Sequence, residues 1–284
     1  MNHPKPPFPE QPQSLPGDTD RMDPRPDHGE DSYKGSGKLT GMAALITGAD
    51  SGIGRAVALA YAREGADVMI SYLDEHDDAN ETRALVEKEG RRAYVMPGDI
   101  QDAEHCRTLV RDTHEAFGRL DILVNNAAHQ MHVDTIEDIT DEEWETTFRT
   151  NIHAMFYLCK AAVPVMEKGG SIINTASVNS ARPNPGLLAY ATTKGAVRNF
   201  TNGLAQMLAP RDVRVNCVAP GPVWTPLIPA TLPAESVAHF GESNPMGRPA
   251  QPAELATAYV MLADPLSSHT NGATVEVTGG IPMM

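Results

Sequence analysis

The stretch ALITGADSGIGRAVALAYA, residues 44–62, decides how the rest of the chain is read. It opens on a short aliphatic run, turns through Thr47–Gly54, and continues as an alanine-rich pattern of strong helix formers. Gly48, Gly52 and Gly54 all fall inside the turn. Glycines there let the chain turn tightly and bring its backbone close to a phosphate, and the helix behind offers unpaired amides and a positive dipole end. The spacing is G-x-x-x-G-x-G, not the commoner G-x-G-x-x-G. Taken alone, such a turn is also a plain tight connection. With a strand before it and a helix after it, the turn reads as a dinucleotide site, with Gly48, Asp50, Ser51, Gly52, Ile53 and Gly54 as candidate contacts.

Outward from this stretch, short apolar runs alternate with longer helical patterns. MAALITG, DVMISYL, RAYVMPGDI, LDILVNNAA, SIINTAS, VRVNCVAPG and ATVEVTGG imply seven strands. Their near-continuous hydrophobicity suggests strands covered on both faces, as in a parallel sheet flanked by helices. The helical segments between them include one long stretch around EEWETTFRTNIHAMFYLCKAAVPVMEKG, and several end in glycine, as helix C-caps prefer. The pattern predicts a single doubly wound α/β domain of Rossmann type over residues 39–284, with ligands at the carboxyl ends of the strands. Residues 1–38 hold eight of the 23 prolines and read as an extended arm. Whether it is disordered or lies along the body or a neighbouring subunit is open at this stage.

Composition narrows the function classes. The 37 acidic residues against 23 basic ones give a formal charge of −14, which argues against a nucleic-acid partner. No run is long and apolar enough for a membrane span, and the N-terminus lacks the apolar stretch of a secretory signal, so a cytoplasmic protein is expected. Cys106, Cys159 and Cys217 form no C-x-x-C and read as reduced thiols. His129 and His132 make an H-x-x-H that reads as pocket lining, not as a metal site.

LAYATTKGAVRNF, residues 188–200, puts Tyr190 and Lys194 one helical turn apart on one face. An isolated Y-x-x-x-K is usually a solvated helix edge. Yet an ammonium beside a phenol stabilises phenolate, and an ordinary tyrosine with a pKa of about 10 needs such help to act as a base at neutral pH. Ser177 lies thirteen positions earlier, at the carboxyl end of the strand SIINTAS; a hydroxyl there either bonds a ligand oxygen or caps the next loop.

TGADSGIG (47–54), NNAA (125–128), Tyr190 and Lys194 together resemble the motifs of the short-chain dehydrogenase/reductase family, in their usual order and spacing. The resemblance covers nearly all of residues 39–284, and the Pro-rich arm is similar to that of a bacterial subgroup of general-stress and aldehyde-reductase-like oxidoreductases with N-terminal extensions. It implies a nicotinamide cofactor as hydride carrier, Tyr190 as general acid/base, Ser177 orienting the substrate oxygen, and Asn151 in FRTNIHAMF holding a water linked to Lys194. It further implies adenine contacts at Asp99 and Ile100, backbone contacts along the adenosine ribose at Asn126 and Ala127, and a nicotinamide loop in APGPVWTP. In that loop Pro220 and Gly221 lead to the Val223 backbone and the Thr225 hydroxyl. Ala128 stands where the family usually has glycine. Asp99 also has a second reading, as a cap for the helix near Ala103.

NAD enzymes usually carry an acid at the end of the second strand. DVMISYLDEH offers Ser71 and Tyr72 there instead, which favours NADP, with NAD possible. The expected protein is an NADP-dependent oxidoreductase acting on a small carbonyl or alcohol, and family resemblance adds a homotetramer. The alternative is a dinucleotide-sensing protein that catalyses nothing.

Overall fold

The computed structural model describes residues 3–283. Seven strands, β1 (Ala43–Thr47), β2 (Asp67–Tyr72), β3 (Ala93–Pro97), β4 (Ile122–Asn125), β5 (Ser171–Thr175), β6 (Arg214–Pro220) and β7 (Thr274–Val277), form one sheet in the order β3-β2-β1-β4-β5-β6-β7. Every pairing is parallel. β1, β2, β4, β5 and β6 are buried along their whole length, which is why their sequences run apolar without alternation. The chain winds outward from β1 to β3, then returns to β4 on the other side of β1. That reversal opens a crevice at the carboxyl ends of β1 and β4.

Two apolar layers cover the sheet. On one face α1 (Gly52–Arg63), α2 (His76–Lys88) and α9 (Pro252–Ala263) pack over Ile46, Val68, Ile70 and Val218. On the other, α3 (Ala103–Phe117), α5 (Ala154–Ala162) and α6 (Leu188–Leu208) cover Leu45, Leu123, Ile172 and Val215. Helix α9 was not foreseen in the sequence. Its mostly buried surface carries little periodicity, although Pro252 at its first turn and a capping box between Gln251 and Glu254 mark its start.

The long helix expected around residues 142–169 is not continuous. It runs as α4 (Asp141–Phe148), a π-turn over Arg149–His153, and then α5. The widened turn is centred on Asn151, whose side chain leaves the helix to bond elsewhere, as π-turns at functional sites commonly allow.

Residues 3–41 contain one short 3-10 turn, Thr19–Arg21, and otherwise no regular structure. They nevertheless pack on the body. Phe8 and Met22 are buried in a third apolar cluster with Trp224, Ile228 and Val237. The Thr19 amide and hydroxyl donate to Asp78 at 3.1 and 2.9 Å, and the Asp27 amide donates to the Gln251 side chain at 2.9 Å. Further along, the Ser36 and Lys38 amides donate to the Glu64 carboxylate at 2.9 and 3.0 Å.

Candidate active site

The turn after β1 is built by what its glycines exclude. Gly48 has φ +60°, in the left-handed region, and a Cβ there would meet the Ala127 backbone at 3.0 Å. A Cβ on Gly54 would fall 1.9 Å from the Gly48 carbonyl oxygen, so α1 can seat this close to the turn only with glycine. Asn126 locks the arrangement, donating from Nδ2 to the carbonyls of Thr47 and Gly48, both at 3.1 Å. At the N-terminus of α1, Ser51 makes no side-chain capping bond. The first amides of α1 therefore face the crevice without a protein cap, which fits a phosphate group.

A cleft of about 1180 Å3 runs from this turn along the carboxyl edge of the sheet. Every residue singled out above for catalysis or cofactor contact lines it, apart from Gly54 and Asn151. Gly54 sits behind the turn, where its missing side chain is what matters. Asn151 lines a small recess behind the main cleft, together with Thr175 and Lys194.

At the other end, Ser177 follows β5 in extended backbone, and Tyr190 stands in the first turn of α6. The Ser177 hydroxyl accepts from the Asn179 amide at 3.1 Å, so the loop-capping reading holds, and the same side chain lines the cleft. Lys194 reaches back from α6 to donate from Nζ to the Thr175 carbonyl at 2.7 Å, with its ammonium 5.3 Å from the centre of the Tyr190 ring. This refines the expected pairing: the ammonium is tied to the end of β5 and flanks the ring. Burial pushes the Tyr190 pKa up, opposed by the Ser177 hydroxyl, and burial brings Lys194 down to about 8. At neutral pH the free site thus holds a neutral phenol beside an ammonium.

Asn151 accepts from the His129 amide at 2.8 Å and donates to the His129 carbonyl at 2.9 Å and the Thr193 hydroxyl at 3.0 Å. It stitches the loop after β4 to α6. The His129 ring bonds Glu143 of α4, at 2.9 Å.

The end of the cleft beside β2 differs from expectation in its charge. Ser71 and Tyr72 do line the cleft, and the Ser71 hydroxyl is buried without a partner, while the Tyr72 hydroxyl bonds His76 at 2.8 Å. The glycine turn adds an acid to the same cleft, Asp50, beside the acid-free end of β2. Burial raises its carboxyl to about 6, with the Ser51 hydrogen bond opposing. Asp74, Glu75 and Asp99 line this end too, whereas the basic groups on the cleft wall, such as Lys194 and Arg182, belong to the Ser177 end. Asp99 is not the cap of α3: that role falls to Asp102, which accepts from the Glu104 amide at 2.8 Å, while Asp99 accepts from the Gln101 amide.

The loop after β6 was placed by resemblance alone, and the geometry gives it a frame. Gly221 donates to the Val277 carbonyl, Val223 bridges Ala250, and the Trp224 amide donates to the Ala250 carbonyl at 2.9 Å. Two short helices, α7 (Leu227–Thr231) and α8 (Ala234–Ala238), follow and roof the cleft; nothing in the sequence reading anticipated them.

Comparison with known proteins agrees with this architecture. A family model described as enoyl-(acyl carrier protein) reductase matches residues 48–282. General stress protein 39 of Bacillus subtilis is 51% identical over 280 residues, spanning 98% of each chain. A short-chain dehydrogenase from Burkholderia cenocepacia, solved in complex with NADP, superposes with a TM-score of 0.80 at 34% identity, over 86% of this chain and 98% of that one. A 3-ketoacyl-(acyl-carrier-protein) reductase from Brucella melitensis, solved with NADH, gives 0.78 at 32% identity, over 85% and 98%. Fold, motif order and relatives thus converge: the chain is an enzyme of the short-chain dehydrogenase/reductase family of oxidoreductases.

Proposed function

We propose that the protein interconverts a small carbonyl and the corresponding alcohol with NADP(H), NAD(H) being the possible alternative. The observation that carries this reading is the convergence of Ser177, Tyr190 and Lys194 on the cleft that the glycine turn opens. The uncapped amides of α1, the turn glycines and the unpartnered Ser71 hydroxyl fit a dinucleotide, and the structural relatives with NADP and NADH support the choice of nicotinamide. When bound, the nicotinamide supplies the hydride.

The chain's own residues supply the rest. In reduction, the Tyr190 hydroxyl, kept neutral by burial, gives its proton to the substrate oxygen; in oxidation the phenolate takes it back. Ser177 donates a hydrogen bond to the same oxygen and fixes its direction. Lys194, held at the Thr175 carbonyl, keeps a positive charge against the phenol and favours the phenolate left by proton transfer. Asn151 keeps the His129 loop and α6 in register, so that Lys194 stays at the end of β5. We infer a cytoplasmic homotetramer; the exposed Phe156 on α5 and Met207 on α6 support assembly, and no helix among the described residues is long and apolar enough to cross a membrane.

The test is a screen of aldehydes, ketones and polyols, following NADPH or NADP by its absorbance. Turnover of at least one small carbonyl is expected. Absence of both turnover and dinucleotide binding would overturn the proposal.

A further inference from the structure

The segment that roofs the nicotinamide end of the cleft, residues 223–240, is held from outside by the N-terminal arm. Phe8 stacks on Trp224 with ring centroids 4.3 Å apart, and the Phe240 ring lies 6.4 Å from the same indole. Trp224 is fully buried, and its indole N–H donates to the Pro24 carbonyl at 2.7 Å. The arm then bonds the roof directly: the Phe8 amide donates to the Ala238 carbonyl at 2.8 Å, and the Gln13 amide to the Pro229 carbonyl at 3.1 Å. Gly17 lies so close to the roof that a Cβ there would sit 2.5 Å from the Pro226 carbonyl oxygen.

The arm also reaches the cleft itself, for Leu15 and Pro16 line it beside Thr225 and Pro226. Its far side is moored elsewhere, through Thr19 to Asp78 of α2 and through Asp27 to Gln251 at the start of α9. The roof is therefore clamped between the arm and the body, whose own direct ties to it include the Gln130 side chain bonding Thr231 at 2.8 Å.

We propose that the arm is a strap that holds residues 223–240 closed over the cleft before ligand arrives, with Trp224 as the positioning residue through which Phe8 and Pro24 set Val223 and Thr225. The consequence rests on the dinucleotide reading above: a site already closed costs its ligand no ordering of the roof. If loosening the strap leaves the closed form populated about a tenth of the time, apparent affinity falls about tenfold. Tyr190 and Lys194 lie on α6 and Ser177 just after β5, outside the strapped segment, so chemistry at saturation is untouched.

The experiment uses the full chain and two readouts. Chymotrypsin has Leu227 and Phe240 to cut in the roof. Without ligand, the wild type is expected to resist cutting there, and Phe8→Ala to be cut there and protected again by NADPH. Phe8→Ala should also raise the Kd for NADPH about tenfold, raise KM, and leave kcat within about twofold. In a Trp144→Phe background Trp224 is the one remaining indole, and Phe8→Ala should shift its emission to the red. Should Phe8→Ala not fold, Gly17→Ala tests the strap at its separate contact with Pro226, and Phe8→Leu should recover part of the affinity. The strap is overturned if these variants bind NADPH within twofold of wild type and stay uncut, or if the wild-type roof is cut as readily as theirs. A wild type that binds no dinucleotide overturns the cofactor reading instead, while proteolysis still decides the strap.

Discussion

The glycine turn and the N-terminal arm are both stretches of irregular backbone, and both help to wall the same cleft. They owe their order to different things. The turn carries its signature within a dozen residues: an aliphatic strand, glycines of which Gly54 could not bear a Cβ against the Gly48 carbonyl, and a helix that starts without a side-chain cap. The arm is specified by partners far away in sequence, such as Gln251, which is 224 positions from Asp27. Local order can be read from a sequence; order borrowed from a distant surface cannot.

That contrast predicts how each region fails. The turn should fail outright: Gly54→Ala pushes a methyl into the Gly48 carbonyl, and we expect dinucleotide binding to be lost and Tm to fall by about 10 °C in a thermal melt. A Gly54→Ala protein that melts and binds like wild type would erase the distinction. The arm should fail by degrees, as the roughly tenfold Kd change of Phe8→Ala expresses.

Between these lies the pH response of Lys194. Its folded pKa is depressed to about 8, so the ammonium is present below that pH and lost above it. If the ammonium helps hold the dinucleotide, the wild-type Kd should climb as pH rises through about 8. Lys194→Gln should start weak and stay flat across the same window, as fluorescence titrations between pH 6.5 and 9.5 would read.

The smallest effect concerns Asp50. A carboxylate beside the end of β2 opposes a 2′-phosphate, so Asp50→Asn should shift the ratio of NAD to NADP dissociation constants several-fold toward NADP. An unmoved ratio would mean that Asp50 does not face the ribose.

The legible parts of the site share a common physical basis. Strand-helix alternation and continuous apolar runs specify the sheet, and the sheet brings Gly48, Asn126, Ser177 and Pro220 to one edge because each follows or ends a parallel strand. Tyr190 and Lys194 follow from helical spacing. What escaped notice was set by three-dimensional neighbours: Lys194 tied to Thr175, the π-turn that frees Asn151, and the roof of α7 and α8 that the arm covers. Helix α9 escaped for a simpler reason: a helix buried on most sides leaves no amphipathic stripe to find.

The central claim is that Tyr190 handles the proton while the rest of the cleft holds the dinucleotide. The most direct measurement pairs turnover of Tyr190→Phe with its calorimetric Kd for NADPH. The account predicts a kcat reduced by about 10² to 10⁴ with Kd within about twofold of wild type. Undiminished turnover in Tyr190→Phe would contradict it and place the proton transfer on another group, whereas a cellular output that survives the substitution with binding intact would point to a protein that senses the dinucleotide without reacting it.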